Sequence, residues 1–449
     1  MINSKILKST LLSLLLVFGL VSCDDNDPEP AVEADFTVTI ENVGESYSYV
    51  KSGAFSVPVG ATEPSGIGPG GAFEFEFTAP LGSKLSLATM FVQSNDWFYA
   101  TGSSGVDLYN SDGTQVTGDI TSAFNLYDAG TEEDQEPGVG DNQVLRQSGP
   151  DTGPADDNNL VRSVDTSNLP SDEAVLQVTL TSTSSTGFMV RIENVSTATT
   201  LQTSEGGKPV PLSPGGWAVH AANQTNVFYE IGQPDYGEGL EGIAEDGTVG
   251  DIEATLEPET GITVPLSPGA YAVYTGSNPL FTANANFPNN GIEAVAEDGA
   301  PAELATALSA NSNVNVSAAF AQPVGASSNG PLLPGSSYSF SFSAEEGDIL
   351  NLATMFVQSN DLFYALGGDG IALFNNGTPI SGDLTSSVTL WDAGTEANEE
   401  PGIGANQVIR QSDVDTGPAD ANTNVRLVND SFTYPGTNEI IRVTIRLNQ

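Results

Sequence analysis

The sequence repeats itself at long range, and this repeat restricts the chain to folds that can be built twice. The segment LATMFVQSNDWFYA at residues 87–100 recurs as LATMFVQSNDLFYA at 352–365, with Leu362 in place of Trp97. The shorter segments DAGTE, RQS and DTGPAD recur in the same order in both halves. Self-similarity over such a distance indicates two copies of one domain.

Alternating apolar and polar residues predict that both copies are all-β. Period-two segments flank each copy, for example DFTVTIENV at 35–43 and FMVRIENVS at 188–196. The chain also contains 48 glycines and 27 prolines, which favour many turns between short strands. This pattern is typical of antiparallel sheets packed as sandwiches. We therefore expect tandem antiparallel β-sandwiches, the first over residues 36–184 and the second over 187–449.

The second copy carries an insert that is itself doubled. The stretch from VPLSPGGWAVH to GLEGIAEDG (210–247) matches the stretch from VPLSPGAYAVY to GIEAVAEDG (264–299). Each half-repeat indicates a strand, a loop and a short helix that ends at AEDG. In sequence order both half-repeats belong to the second domain, as a small doubled insert at 205–306.

The first residues indicate export and a tether rather than a folded domain. Lys5 and Lys8 precede an apolar run that ends in LVSC, as in a secretory signal over residues 1–22. LVSC resembles the bacterial lipobox, so we expect cleavage before Cys23 and acylation of its thiol. Residues 23–35 then form a lipidated acidic tether that holds the protein at the outer membrane or cell surface. Cys23 is the only cysteine, so the chain cannot form an internal disulfide.

The charge of the chain excludes one class of partner. Twelve Lys and Arg stand against 58 Asp and Glu, which gives a formal net charge of −46 at pH 7. Nucleic acid is therefore excluded as a partner, because its phosphates would be repelled. Two explanations for so many carboxylates stay open: adaptation to a salty habitat, or specific binding of divalent cations.

Two loops concentrate carboxylates around a single glycine. They are NLYDAGTEEDQEPG at 125–138 and TLWDAGTEANEEPG at 389–402. Neighbouring carboxylates repel one another unless a cation bridges them, and calcium takes six to eight oxygen ligands. Gly130 or Gly394 permits the tight turn that such a loop needs. The alternative is an Asp that caps the turn through backbone N–H groups while the following acids face solvent.

The motif ATMFVQSNDWF, followed by DAGTE, resembles the spondin amino-terminal domain of F-spondin and mindin. The resemblance covers most of residues 36–449 and implies an eight-stranded β-sandwich, related to calcium-dependent membrane-targeting modules, with calcium held by loops at one end. The positions that match the family's ligands are Asp96, Asp128 and Glu132 in the first copy, and Asp361, Asp392 and Glu396 in the second. Vertebrate members usually have Asp at the last of these positions. The longer glutamate either chelates with both oxygens or points away.

Three scarce side chains have less specific interpretations. His220 is the only histidine, and its position in the other half-repeat holds Tyr274, which argues against a catalytic triad or a zinc site. We therefore expect His220 to be a strand residue. Arg146 and Arg410 occupy matched RQS motifs, and we expect each to pair with a carboxylate, with ligand binding as the alternative.

These observations predict a calcium-binding, cell-surface lipoprotein with a non-catalytic adhesion role. Its partner is expected to be an extracellular matrix or glycan ligand, and its contact with the membrane to be through the lipid anchor only. Two alternatives stay open: a secreted enzyme or accessory factor that acts on polysaccharide, and a salt-adapted structural envelope protein. Paired carboxylates can hydrolyse glycosides, but proximity is weak evidence in a chain with 58 acids.

Overall fold

The computed structural model describes residues 32–448. Cys23, the signal segment and the tether up to residue 31 lie outside the described residues. Strands make up 36% of the structure and helices 12%, and the strands pair in antiparallel sheets, so the all-β prediction is confirmed. None of the helices in residues 32–448 combines the length and the apolar character that a membrane span requires.

The strands follow one another along the chain in two similar series. In the first part of the chain they are β1 Glu33–Asn42, β2 Tyr49–Phe55, β3 Ala72–Thr78, β4 Ser83–Phe91, β5 Trp97–Thr101, β6 Val106–Asp107, β7 Gly118–Asp119, β8 Phe124–Asp128, β9 Arg162–Ser163, β10 Leu176–Ser182, β11 Gly187–Asn194, β12 Leu201–Thr203, β13 Gly206–Lys208 and β14 Leu212–Ala221. In the second part they are β15 Leu266–Tyr274, β16 Val314–Phe320, β17 Ser337–Glu345, β18 Ile349–Phe356, β19 Leu362–Leu366, β20 Ile371–Ala372, β21 Phe374–Asn375, β22 Thr378–Pro379, β23 Gly382–Asp383, β24 Val388–Asp392, β25 Arg426–Leu427 and β26 Ile441–Leu447.

The helices are short, and most of them lie in the half-repeats or directly after them. They are a π-helical turn at Gly242–Asp246, followed by α1 Gly250–Leu256, α2 Ile292–Asp298, α3 Ala302–Ser309 and α4 Thr437–Ile440. Single 3-10 turns occur at Thr121–Ala123, Thr166–Asn168, Asp172–Ala174, Glu257–Glu259 and Thr385–Ser387. The π-helical turn and α2 each end at an AEDG segment, as the half-repeats predict.

Residues 49–260 form what we call the inner unit, which has two antiparallel sheets around one core. The first sheet has the strand order β3-β11-β10-β7, and the second has the order β2-β14-β4-β5-β8-β9. Phe73 and Phe188 of the first sheet lie in the same apolar cluster as Leu87 and Tyr99 of the second. Along β3 and β11, buried side chains alternate with more exposed ones, which is why period-two patterning predicted these strands correctly.

The outer unit consists of β1 together with residues 262–448, and it repeats this arrangement strand for strand. Its sheets have the orders β17-β1-β26-β23 and β16-β15-β18-β19-β24-β25. Phe36, Val38 and Ile40 of β1 are fully buried in the core that these sheets share.

The strand pairing differs from the two successive domains predicted at 36–184 and 187–449. Strand β1 pairs with β17 and β26 of the outer unit, whereas β11, its counterpart in sequence, lies between β3 and β10 of the inner unit. The inner unit therefore interrupts the outer unit after its first strand. The segments that join the units run side by side, since Ser48 N donates to Glu259 O at 3.0 Å. The sequence misleads here because β1 and β11 carry the same apolar pattern and fit either sheet.

The half-repeats are also distributed differently from the predicted doubled insert at 205–306. Strand β14 pairs with β2 and β4 in the inner unit, and β15 pairs with β16 and β18 in the outer unit. Each unit thus receives one half-repeat. The helical segment that follows covers the outside of the larger sheet, where Ile243 and Ile252 pack with Ala88 and Phe98. The outer unit repeats this packing with Val295 of α2 and its own alanine-lined sheet face.

The nested arrangement predicts that β1 stabilises the outer unit and that β11 stabilises the inner unit. Ile40 and Ile192 are both fully buried at matched positions of β1 and β11. Replacing either with Ala should cost roughly 2–5 kcal/mol because it leaves a cavity. Ile40→Ala should speed amide hydrogen exchange in 337–345 and 441–447, and Ile192→Ala should do so in 72–78 and 176–182. Faster exchange in 72–78 in the Ile40→Ala variant would contradict the nested topology.

Candidate metal centre

A tight turn places the DAGTE loop at one end of the larger sheet in each unit. Asp128 and Asp392 end strands β8 and β24, and the glycines two positions later have φ of +72° and +74°. A Cβ atom on Gly130 would lie 2.7 Å from Leu160 N, and one on Gly394 would lie 2.7 Å from Asn422 O. The predicted requirement for glycine is therefore confirmed on two grounds, backbone conformation and space.

The Asp96 carboxylate joins the turn between β4 and β5 to the DAGTE loop. Asp96 is fully buried, and its Oδ2 accepts hydrogen bonds from Thr131 N at 2.8 Å and Glu132 N at 3.1 Å. Its other oxygen, Oδ1, is buried without a hydrogen-bond partner. A buried carboxylate oxygen without a donor is costly, so it indicates a site where a cation is expected.

Asp361 repeats every element of this arrangement in the outer unit. It is fully buried, and its Oδ2 accepts hydrogen bonds from Thr395 N at 2.8 Å and Glu396 N at 3.1 Å. Its Oδ1 is likewise buried without a partner. The same unsatisfied oxygen therefore occurs at the same place in both units.

Asp128 and Asp392 lie beside these residues, and each pairs with an arginine that sequence reasoning missed. Asp128 Oδ2 lies 2.5 Å from Arg162 Nη2, and Asp392 Oδ2 lies 2.6 Å from Arg426 Nη2. The other oxygen of each aspartate accepts a hydrogen bond from the loop glycine at 2.7 Å. The sequence does contain a signal for these arginines, since both follow DTGPAD at matched positions in a chain with few basic residues.

A third carboxylate completes the group in the inner unit, and it is not the predicted one. Oxygens of Asp96, Asp128 and Asp134 all lie within 4.8 Å of one another. Asp134 was missed because the repeat has Asn398 at this position, where Nδ2 donates to Asp392 Oδ2 at 2.8 Å. The outer unit therefore combines two carboxylates with one amide.

Glu132 and Glu396 turn away from the aspartates that they were expected to join. Glu132 Oε1 accepts a hydrogen bond from Gly153 N at 2.6 Å, and Glu396 Oε1 accepts one from Gly417 N at 2.6 Å. Both glutamates are buried. Of the two alternatives for the longer side chain, the structure therefore shows the one in which it points away from the aspartates.

Burial and mutual repulsion make these carboxylates hold protons unusually well. Burial raises the pKa of Asp96 to about 6 despite its backbone hydrogen bonds. Burial followed by repulsion from Asp96 and Asp361 raises the pKa of Asp128 and Asp392 respectively, against the opposing effect of the arginines. Burial also raises the pKa of Glu245, on the π-helical turn nearby, to about 8. A cation bound at these oxygens would favour the deprotonated form and so lower the pKa of each group.

The remaining candidates from the sequence have structural roles. His220 is a fully buried residue of β14, as predicted, and its Nε2 lies 2.9 Å from Ser86 Oγ. The expected carboxylate pairing of Arg146 and Arg410 is wrong, because their Nε atoms donate to the carbonyl oxygens of glycines 140 and 404 at 2.7 and 2.8 Å. Trp97 is buried in the inner core.

No known protein family matches the chain, and no curated protein shows significant similarity to it.

The raised pKa values predict that the protein without metal loses stability as pH rises. A group whose pKa is higher in the folded state stabilises the fold while protonated, and this contribution is lost as pH rises through the folded pKa. Deprotonation of Glu245 alone should lower the free energy of unfolding by about 1.6 kcal/mol between pH 6.5 and pH 8. Chemical denaturation in chelator at the two pH values measures the change.

Variants of the aspartates identify the source of this pH dependence. Asp128→Asn and Asp392→Asn should each reduce the loss of stability, because each removes a group with a raised pKa. The matched control is Asp157→Asn, which changes an exposed carboxylate in the same loop region. Greater stability of the parent at pH 8 than at pH 6.5 would contradict the assignment.

Proposed function

We propose that the chain is a calcium-binding, cell-surface lipoprotein whose two units are β-sandwiches of the spondin type, similar to calcium-dependent membrane-targeting modules. One observation carries the proposal: Asp96 and Asp361 are buried at equivalent places, and each has one oxygen without a donor. The ligands that fit calcium are Asp96, Asp128 and Asp134 in the inner unit, and Asp361 and Asp392 in the outer unit.

The chemistry of the donors supports a hard divalent cation. The acidic side chains that converge here offer only carboxylate oxygens, which suit calcium or magnesium and not zinc or copper. Calcium is favoured because it accepts irregular coordination, whereas magnesium demands a near-ideal octahedron.

In both units the carboxylates around the arginine carry more negative charge than the arginine can balance. In the inner unit Arg162 Nη2 contacts Asp128 and also Asp156 at 2.6 Å, and Asp96 and Asp134 add further negative charge. In the outer unit Arg426 faces Asp392 and Asp420, with Asp361 beside them. One guanidinium cannot balance three or four carboxylates, and a divalent ion would offset most of the remainder.

The burial of these groups favours a binding role over a catalytic one. A raised pKa is also what a glycosidase acid needs, and this is the observation that favours the enzyme alternative. Asp96 and Asp361 are, however, fully buried, and Asp128 and Asp392 are only 2% and 1% exposed. A small ion can occupy such a site, but a glycosidic bond could not reach these oxygens without a rearrangement of the loops.

Adhesion follows from combining this site with the proposed anchor. Lipidation at Cys23 would fix the chain to the outer membrane or cell surface, and the two units would present two similar loop ends. An ion at each loop end would give a strongly negative chain a place to meet a sulfated or uronic glycan or an acidic matrix protein. Two sites on one tethered chain gain avidity when their spacing matches a repeating ligand.

Calcium should stabilise the chain. The aspartate variants should be at least as stable as the parent in chelator and less stable than the parent in calcium. A hundredfold excess of calcium over the dissociation constant should add about 2.7 kcal/mol per site. In chelator, Asp96→Asn and Asp361→Asn should melt no lower than the parent, because each removes one buried negative charge. In calcium they should melt lower than the parent, because each weakens an ion site.

If the order of the variant and parent melting temperatures differs between chelator and calcium, the aspartates bind a metal ion and do not have a purely structural role. Asp157→Asn should follow the parent in both conditions. Variants that melt below the parent by the same amount with calcium and with chelator would show that Asp96 and Asp361 only cap their loops.

The adhesion role predicts calcium-dependent binding that the lipid anchor confines to the cell. The chain from residue 24 onward should bind a sulfated or uronic glycan, or an acidic matrix protein, on an array in calcium and not in chelator. Cells with the Cys23→Ala variant should release the chain into the medium and lose binding at their surface. Binding that survives chelator and the paired Asp96→Asn and Asp361→Asn changes would contradict the role, and release of shortened sugars would favour the enzyme.

A further inference from the structure

A second acidic group lies next to the aspartate site in the inner unit. Glu132, Asp151 and Glu245 each place one oxygen within 4.8 Å of the others. They come from three separate segments: the DAGTE loop, the DTGPAD loop and the π-helical turn of the half-repeat. Glu132 and Glu245 are each 2% exposed, and Asp151 is exposed.

An unsatisfied oxygen points to a ligand in this group. Glu245 Oε1 is buried without a hydrogen-bond partner. Within residues 32–448, no lysine, arginine or histidine forms a salt bridge with any of the three acids, whereas at the neighbouring site Arg162 contacts Asp128, Asp134 and Asp156. Two buried glutamates without a counter-ion would repel each other in a medium of low dielectric constant, so the group is stable only with protons or a cation.

The backbone is shaped to admit these side chains. A Cβ atom at Gly153 would overlap the Glu132 carboxylate, so glycine is required where the DTGPAD loop passes over it. Asp151 has φ of +50°, a left-handed conformation that Asn and Asp tolerate better than other residues with a side chain. The loop therefore brings an exposed carboxylate over two buried ones and leaves the group open to solvent on that side.

The glutamate of AEDG and the first aspartate of DTGPAD also lie close together in the outer unit. Glu297, at the AEDG segment of α2, and Asp415, in DTGPAD, lie within 4.8 Å of each other and of Glu293. Asp415 also has a left-handed φ, of +53°. Recurrence of this pairing in both units argues against chance proximity in an acidic chain.

We propose that Glu132, Asp151 and Glu245 hold a second divalent cation in the inner unit, separate from any ion at Asp96. The oxygen-only donors favour calcium or magnesium, and the exposed side at Asp151 leaves positions for water or for a hydroxyl or anionic group of a ligand. The ion would fasten the helical segment of the half-repeat to the two loops. The half-repeat would then bind an ion in addition to covering the larger sheet.

The number of bound calcium ions tests this site. Native mass spectrometry of the chain from residue 24 onward, freed of metal and then given calcium chloride, should show one ion fewer for Glu245→Gln than for the parent. Asp151→Asn should also lose one ion while keeping the backbone conformation, since Asn accepts a left-handed φ. The matched control is Glu253→Gln, the same change at an exposed position of α1, and it should keep the parental number.

Further comparisons separate a failed site from a failed fold and from the aspartate site. In chelator, Glu245→Gln should melt no lower than the parent, because the neutral amide has the same size as the carboxyl group that it replaces. If Asp96→Asn alone loses one ion, its combination with Glu245→Gln should lose two, and loss of only one would mean that both groups share a single cation and would overturn the proposal. Parental ion numbers in both Glu245→Gln and Asp151→Asn would also overturn it, whatever Asp96→Asn shows.

Discussion

The buried carboxylate of Asp96, repeated in Asp361, is the interaction on which the loop end of each unit depends. It accepts two backbone N–H groups of the DAGTE loop and so fixes that loop to the turn between β4 and β5. The hydrogen bonds satisfy only one of its oxygens. Burying a charge in this way costs several kcal/mol unless an opposite charge lies nearby. The arginines and the proposed cations meet that requirement, and the neighbouring acids increase it.

The nested topology explains why both acidic groups lie at one end of a unit. Each unit takes one half-repeat, whose strand enters the larger sheet beside β4 or β18. The following helical segment then returns over the sheet and brings its AEDG glutamate to the DAGTE and DTGPAD loops. A half-repeat that belonged only to the second domain could not supply Glu245 to the inner unit. The arrangement of strands therefore determines the chemistry of the loop end.

The sequence predicts the local structure well and the long-range pairing poorly. Alternation identifies β1 and β11 correctly, but Phe36-Val38-Ile40 and Phe188-Val190-Ile192 are equally suited to either core, so no local signal assigns them. The turn at Gly130 is predictable because its chemistry is local. Asp134 and Glu245 are not, since one lies where the repeat changes residue and the other reaches the site only through the fold.

If the proposals are right, cations balance the buried carboxylates at the loop ends. Crystals grown in calcium, with anomalous difference maps recorded at a long wavelength, test it most directly because they locate the ion without assuming its ligands. We expect peaks beside Asp96 Oδ1 and Asp361 Oδ1, with a further peak between Glu132 and Glu245. Maps without peaks at these oxygens, in crystals soaked at a millimolar calcium concentration, would contradict it and leave the arginines as the only counter-ions.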